Sequence, residues 1–411
     1  MNPLELFLGI LTSVGGFVDV SELVFMSQGG SRFGYALVWV IVLATVGITV
    51  FGEMSGRVAA MSRQPLFNLI RHRLGFSLGL LTLAGALLST IITCGAEIGG
   101  LANVLQLLSG WNYTVLAIAA TAVLVASVFL LPFKWIERTY GMLGLFMLVF
   151  GAALVAIHPP WGEIAAGLKP NVPAGLSHRD LLAYGYFAVA LISAVMFPYE
   201  LYFYSSGGIE DGWSGKDILT NRVVTIVGFG LGSLLSISLL CLSAQQFGHR
   251  GISPEMIATV VMEPGLPYGK LGILLGLLGM LFAIGGAAIE TCLSCAYGVS
   301  QFFGWRWGRH RPPGDTPLFT IAWMAVFVIA MLIVVTGVQP IDLADYAVVT
   351  SIVVLPLSFL PLLLAANDRT FMQDHKNGWL ANVLGWGFYA VIVVTAVAAV
   401  PLYIVTSGGS L

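Results

Sequence analysis

Acidic residues in two similar stretches are the side chains of this chain best suited to chemistry. The stretch Glu22-Leu-Val-Phe-Met-Ser-Gln-Gly-Gly30 returns as Glu200-Leu-Tyr-Phe-Tyr-Ser-Ser-Gly-Gly208, with six of nine positions identical. Both copies lie in long apolar segments, where a charge is costly and marks a functional site by default. Asp19 precedes the first copy, so Asp19, Glu22 and Glu200 form a candidate set of oxygen ligands.

The distribution of basic residues indicates what these acids bind. No lysine or arginine lies in the middle of an apolar segment, and all six histidines fall in predicted loops. Buried carboxyl groups without basic partners are neutralised by protons or by a bound cation. Oxygen ligands select hard ions such as Mg²⁺ and tolerate Mn²⁺, whereas softer metals favour sulfur or imidazole. The sequence therefore predicts a site for a cation.

Helix-breaking residues accompany the acids in both stretches. Gly15 and Gly16 precede the first acidic group, and Pro198 stands two residues before Glu200. A proline inside a helix removes a donor and clashes with the carbonyl four residues back. Discontinuous helices of this kind form ion and substrate sites near the middle of membrane transporters. We therefore predict helix breaks near residues 18–22 and 196–200, with Phe197 and Tyr199 at the second.

Three further polar residues are candidates for a transport pathway: Glu97, Glu290 and Ser21. Glu97 has no basic residue within a helical turn, and its role is open between a structural hydrogen bond and a pathway. Glu290 occupies the corresponding place in the second half of the chain, so Glu97 and Glu290 are a possible second repeat-related pair. The four cysteines lie in apolar segments and are interpreted as packing residues, because a redox or zinc site needs further ligands.

Composition places these residues in a membrane. The chain has 58% hydrophobic residues and only 9% charged residues, against about 25% charged residues in soluble domains. Apolar stretches of roughly 20 residues are long enough to cross a bilayer. Eleven spans are predicted, at residues 4–31, 35–60, 75–107, 113–132, 139–157, 182–208, 223–246, 270–302, 317–337, 343–365 and 379–406.

Basic residues in the connections predict the orientation. With the amino terminus inside, thirteen lysines and arginines fall in inner connections and five in outer ones, which satisfies the positive-inside rule. An odd number of spans then places the carboxyl terminus outside. We expect an all-α polytopic protein in the cytoplasmic membrane of a prokaryote. No nucleophile–base pair or cofactor motif predicts an enzyme, and the only predicted partners are the bilayer and the cation, with a monomer sufficient.

Several runs resemble the NRAMP family of divalent metal transporters in matching order: QGGSRFGYALVWV, EMSGR, TCGAEIGG, WGEIAAGLKPNVP, VMFPYELYFYSS and LPLSFLPLLLAANDRTFM. The resemblance implies a LeuT-type fold of two inverted five-helix repeats plus an eleventh helix. It implies a first repeat at 1–157, an external loop at 158–181, a second repeat at 182–365, and the last helix with the tail at 366–411.

The sequence departs from the family at the expected metal site. Where the family has Asp-Pro-Gly-Asn, this chain has Asp19-Val20-Ser21-Glu22, and the family's Met-Pro-His-Asn corresponds to Phe197-Pro198-Tyr199-Glu200. The methionine that favours transition metals and the histidine are both missing. Cys94 replaces an aspartate of the third span, and the ninth span lacks an arginine. These differences resemble the NRAMP-related magnesium transporters, which carry Mg²⁺ without obvious proton coupling.

Three hypotheses follow from this combination. The first is an importer of divalent cations, Mg²⁺ before Mn²⁺, that works by alternating access without proton coupling. The second is an organic-cation or amino-acid carrier of the same fold, with Phe197, Tyr199 and Tyr202 as an aromatic wall. The third is a non-transporting protein with a decayed site, which three buried acids argue against.

Overall fold

The computed structural model describes residues 18–250, 252, 254 and 257–409 of the chain, and within them every regular element is a helix. Gly15 and Gly16 lie outside the described residues. The principal helices are α1 (Val20–Phe33), α2 (Val38–Ser62), α3 (Leu66–Ser109), α4 (Tyr113–Leu130), α5 (Phe133–Ala156), α6 (His178–Val195), α7 (Pro198–Glu210), α8 (Ile218–Gln246), α9 (Gly265–Phe303), α10 (Pro317–Val335), α11 (Pro340–Asn367) and α12 (Trp379–Thr406).

Ten segments of the described chain are long and apolar enough to cross a membrane, counting α6 and α7 as one. The protein is thus an integral membrane protein. In the most apolar window of α6 and α7, 78% of the residues are buried inside the protein, against 22% in α4 and in α12. The pair α6 and α7 therefore runs through the centre of the molecule, and α4 and α12 lie at its edge.

The predicted break in the sixth span is confirmed. Helix α6 ends at Val195, Met196 has φ −120° and ψ 39°, and Phe197 has φ −58° and ψ 132°. Pro198 then occupies the first turn of α7, where its missing N–H costs nothing. In the first span, Asp19 is extended and α1 begins at Val20. The part of this span before residue 18 lies outside the described residues.

Additional turns precede two of the predicted spans. In α3 a short helix from Leu66 leads to Gly75 (φ 75°), where the helical geometry is broken, and the apolar helix follows from there, in agreement with the span predicted at 75–107. Helix α11 begins at Pro340, ahead of the predicted start at residue 343. Asp345 near this start accepts a hydrogen bond from Tyr186 at 2.9 Å, a partner on a distant helix that local sequence does not show.

Close backbone contact fixes α1 against α8. A Cβ atom at Gly30 would lie 2.1 Å from the carbonyl oxygen of Leu240, so only glycine allows this approach. Elsewhere, α3 packs against α9, α10 and α11. The four cysteines are buried and free, in agreement with a packing role.

Candidate functional site

The amino-terminal end of α1 places Asp19 in the centre of the protein. Its side chain is 1% exposed, and Oδ1 accepts a hydrogen bond from the backbone N–H of Glu22 at 2.8 Å. This is the N-cap contact that aspartate makes at the start of a helix. Oδ2 has no hydrogen-bond partner among the described residues. One carboxylate oxygen orients Asp19, and the other is available to a ligand.

Glu22 lies on the first turn of α1 and faces α8. It is completely buried, and its Oε1 accepts a hydrogen bond from Ser236 at 2.9 Å. Within the described chain, Glu22 Oε2 and Ser21 Oγ lack partners. Glu22 interacts electrostatically with Asp19 and Glu200. The three predicted acids therefore face a common region, although Glu22 is partly held by α8.

The first turn of α7 supplies Tyr199 and Glu200. Glu200 is 9% exposed, and its Oε2 has no partner in the described part of the chain. The Tyr199 hydroxyl is likewise unpartnered there, and it interacts electrostatically with Asp19, Glu97, Glu200 and Glu290. The backbone of this turn is held from α9, because Ser294 donates to the carbonyl of Tyr199 at 2.9 Å. Tyr199 thus lies at the centre of the acidic group.

The two residues at the break of the sixth span contribute no soft ligand. The ring of Phe197 is 1% exposed and packs on the ring of Tyr199, with centroids 5.5 Å apart. The sulfur of Met196 lies against α2, 3.0 Å from the position of a Cβ at Gly47. The thioether is therefore engaged in packing with a neighbouring helix.

The acids do not form a closed metal cluster by themselves. Among the described residues, no three histidine, cysteine, aspartate or glutamate side chains lie close enough together to hold a metal ion. A cation here would complete its coordination with waters, hydroxyls or backbone carbonyls. The last turn of α6 provides carbonyl groups without intrahelical donors, as every helix end does.

The two glutamates among the pathway candidates interact with residues of this site and of its surroundings. Glu97 is completely buried on α3, where its Oε1 accepts a hydrogen bond from Thr291 of α9 at 3.0 Å. Glu290 interacts electrostatically with Glu200 of the central site, and also with Glu137 and Arg309.

A buried ion-pair cluster near Glu290 was not predicted. Arg309, in the connection between α9 and α10, has a side chain that is only 7% exposed. It contacts Glu210 at 3.7 Å and Asp211 at 3.2 Å, and its guanidinium lies 4.2 Å from the centroid of the Phe133 ring. The cluster ties the end of α7 to α5 and to the α9–α10 connection.

Comparison with known proteins identifies the family. A family model described as natural resistance-associated macrophage protein-like (Nramp) matches residues 9–401. The chain belongs to the Nramp family. It is 28% identical to the divalent metal cation transporter MntH 1 of Pseudomonas aeruginosa, over 95% of this chain and 90% of that protein.

Solved structures confirm the LeuT-type fold. The manganese transporter of Eremococcus coleocola superposes with a TM-score of 0.74 and 18% identity, over 98% of this chain and 86% of that one. MhsT in complex with L-phenylalanine superposes with a TM-score of 0.64 and 14% identity, over 97% and 98% of the two chains. At these identities the likeness concerns the fold alone.

Proposed function

We propose that this protein transports divalent metal cations across the membrane, with Asp19, Glu22 and Glu200 as the acids of a central site, each bound to the cation either directly or through a water of its hydration shell. One observation carries the proposal. Each of these acids is buried at the start of α1 or of α7 and has an oxygen without a partner among the described residues. A buried acid is neutralised by a proton or by a bound cation. A bound cation is consistent with the named function of the Pseudomonas relative.

The donor set favours a hard cation that keeps part of its water shell. Mg²⁺ is commonly bound by one or two carboxylates and several waters, in octahedral geometry. The absence of a three-acid cluster in the described chain suits this mode of binding. The sulfur of Met196, the methionine at the break, packs against Gly47 and therefore does not favour a softer metal. Mg²⁺ is therefore the proposed substrate, and an oxygen site also accepts Mn²⁺.

An organic cation or amino acid is the alternative substrate. The adjacent rings of Phe197 and Tyr199, tilted by 34° to each other, are the observation in its favour, because aromatic faces attract organic cations. The third residue of the expected aromatic wall is used elsewhere: Tyr202 is hydrogen-bonded to Ser358 and packs on Phe67. This arrangement leaves two aromatic residues beside several acids, which favours the metal.

Transport is proposed to run without proton coupling. A coupled carrier needs a relay of titratable groups through the protein. Cys94 stands where the family has an aspartate, and α10 contains no charged residue. The membrane potential alone favours inward movement of a dication by about 4.6 kcal/mol per 100 mV, twice the value for a single charge.

Orientation and repeat boundaries belong to the same proposal. The amino terminus is placed inside and the carboxyl terminus outside, in a prokaryotic cytoplasmic membrane. The inverted repeats are placed at 1–157 and 182–365, separated by the loop 158–181 and followed by 366–411. A monomer is sufficient, because the acids of the site all come from one chain.

The test is uptake by the purified protein in liposomes with a K⁺/valinomycin potential, negative inside, and an ion-sensitive dye. Mg²⁺ uptake should saturate and should fall at least about tenfold in Asp19→Asn and in Glu200→Gln, since each removes one ligand charge without changing shape. Glu163→Gln, which neutralises an exposed acid on the short helix Trp161–Gly167, is the matched control. Uptake of organic cations or amino acids without uptake of any divalent metal would refute the proposal.

A further inference from the structure

The connection between α8 and α9 carries a buried acid that the central site does not use. Glu263 follows the short helix Ile257–Val261, and its side chain is completely buried. Its Oε1 lies 3.0 Å from the Ser27 hydroxyl of α1, and that hydroxyl lies 3.0 Å from the hydroxyl of Ser243 on α8. Gln246 donates to the backbone carbonyl of Glu263 at 2.7 Å. These contacts fasten the connection to two helices.

Counting protons in this cluster shows what state of Glu263 it requires. Ser243 donates its only hydroxyl proton to the backbone carbonyl of Ser27, at 2.7 Å. Ser27 then has one proton for two contacts, one with the hydroxyl of Ser243 and one with Glu263. An ionised carboxylate can only accept hydrogen bonds. One of the three contacts therefore lacks a proton unless the carboxyl of Glu263 supplies it.

A protonated Glu263 completes the cluster. It donates to the hydroxyl of Ser27, which frees the Ser27 proton for Ser243, and every contact then has one proton. Burial raises the pKa of Glu263 well above its ordinary value, and this effect outweighs that of the nearby serine hydroxyls, which lower it. Its Oε2 has no partner among the described residues, and a neutral carboxyl tolerates this better than a charged one does.

We propose that Glu263 is a proton-binding site that locks residues 257–264 of the α8–α9 connection onto α1. Loss of its proton leaves a buried carboxylate short of donors, and this described segment is released into solvent. Ser27 stands on α1 only five residues after Glu22, so the lock acts on the helix that carries the central acids. The effect of this lock on transport rests on the proposed function, whereas the existence of the lock does not.

The direction of the pH effect follows from linkage. In the docked state the pKa of Glu263 is raised, and in the released state the solvated carboxyl has its ordinary pKa. The proton therefore contributes fully to docking at low pH, and this contribution is lost as the pH rises through the docked pKa. Between the two pKa values, the docking equilibrium shifts by up to about tenfold per pH unit.

Other titratable groups on the surrounding elements define the controls needed. The nearest along these elements are Glu22 and Arg32 of α1, Glu97 of α3, Cys241 of α8, Tyr268 and Lys270 of α9, and His249, Arg250 and Glu255 in the connection itself. The side chains of His249 and Glu255 lie outside what the structure describes.

Release of the connection can be measured on the full-length protein in detergent, without a transport assay. A reporter cysteine, Val260→Cys, replaces a side chain of the short helix that is 1% exposed. The maleimide labelling rate of the Val260→Cys protein is divided by the rate of the double variant that also contains Glu263→Gln, and this ratio at each pH cancels the titration of the thiol itself. Glutamine mimics the protonated carboxyl, so the ratio of the two rates should be close to one near pH 5. It should reach at least about ten near pH 9, where Glu263 loses its proton.

Three variants complete the test in the same reporter background. Ser27→Ala removes the acceptor of the proposed proton, so labelling should already be fast at low pH. Glu163→Gln and His249→Asn should keep the pH dependence of the unsubstituted protein. A ratio that stays flat across this range overturns the proposal, and so does a pH dependence that survives Glu263→Gln but disappears in His249→Asn. Because no uptake is measured, failure of the proposed transport would not affect the result.

Discussion

Removing the guanidinium of Arg309 should destabilise the protein by about 3 kcal/mol, mainly because it leaves Glu210 without its cation. The side chain of Glu210 is only 9% exposed, and Tyr297 donates a further hydrogen bond to it. Asp211, at 42% exposure, is solvated and contributes little. The estimate therefore lies at the lower end of the range of about 3–5 kcal/mol for breaking a buried ion pair.

The perturbation is Arg309→Met, measured by equilibrium unfolding of the purified protein in mixed micelles. The double variant Arg309→Met with Glu210→Gln should recover part of the loss, because the stranded charge is gone. Arg222→Met is the control, since the side chain of Arg222 is 57% exposed in its pair with Glu53, and it should cost less than about 1 kcal/mol. A loss for Arg309→Met no larger than that of the control, or a double variant less stable than the single one, would refute the reasoning.

Three further predictions concern the helices around the site. Gly30→Ala should cost at least about 2 kcal/mol in the same unfolding assay, because its Cβ would lie 2.1 Å from a backbone oxygen. The control Gly230→Ala has open space around the added Cβ and should not destabilise the protein. Equal stability of the two variants would contradict the close packing at Gly30. Met196→Ala should leave the ratio of Mg²⁺ to Cd²⁺ uptake in liposomes unchanged, and loss of Cd²⁺ uptake alone would show that its sulfur binds metal. Metal uptake should not acidify the inside of the liposomes, either with the unsubstituted protein or with Glu97→Gln. Metal-dependent acidification by the unsubstituted protein that is lost in Glu97→Gln would show a surviving proton path.

The course of the membrane spans was predictable because it depends on local composition. Ten of the predicted spans correspond to helices of the described chain. The break in the sixth span was predicted from Pro198, which lies two residues before Glu200. The short helix at residues 66–74 was not predicted, because it contains several basic residues and is separated from the apolar span by the left-handed Gly75.

The contacts of charged side chains in the connections could not be predicted in the same way. Arg309 and Glu263 lie in connections, where charge is expected to face solvent, yet both are buried by helices distant in sequence. The only sequence signal near Glu263 is the serine of the repeated stretch, Ser27, whose partner cannot be identified without the fold. The hydrogen bond from Ser236 to Glu22 could not be predicted for the same reason, because Ser236 lies on a helix distant in sequence.

The central claim is that buried acids at the helix breaks bind a hard divalent cation, and isothermal titration calorimetry on the purified protein tests it most directly. Mg²⁺ titrated into the protein should give a saturable signal that is lost in Asp19→Asn, with binding that strengthens as the pH rises because the ligands must be ionised. Cd²⁺ should not outcompete Mg²⁺, since the sulfur of Met196, the methionine at the break, packs against Gly47. Micromolar binding of Cd²⁺ that disappears in Asp19→Ala, together with no response to Mg²⁺, would contradict the account.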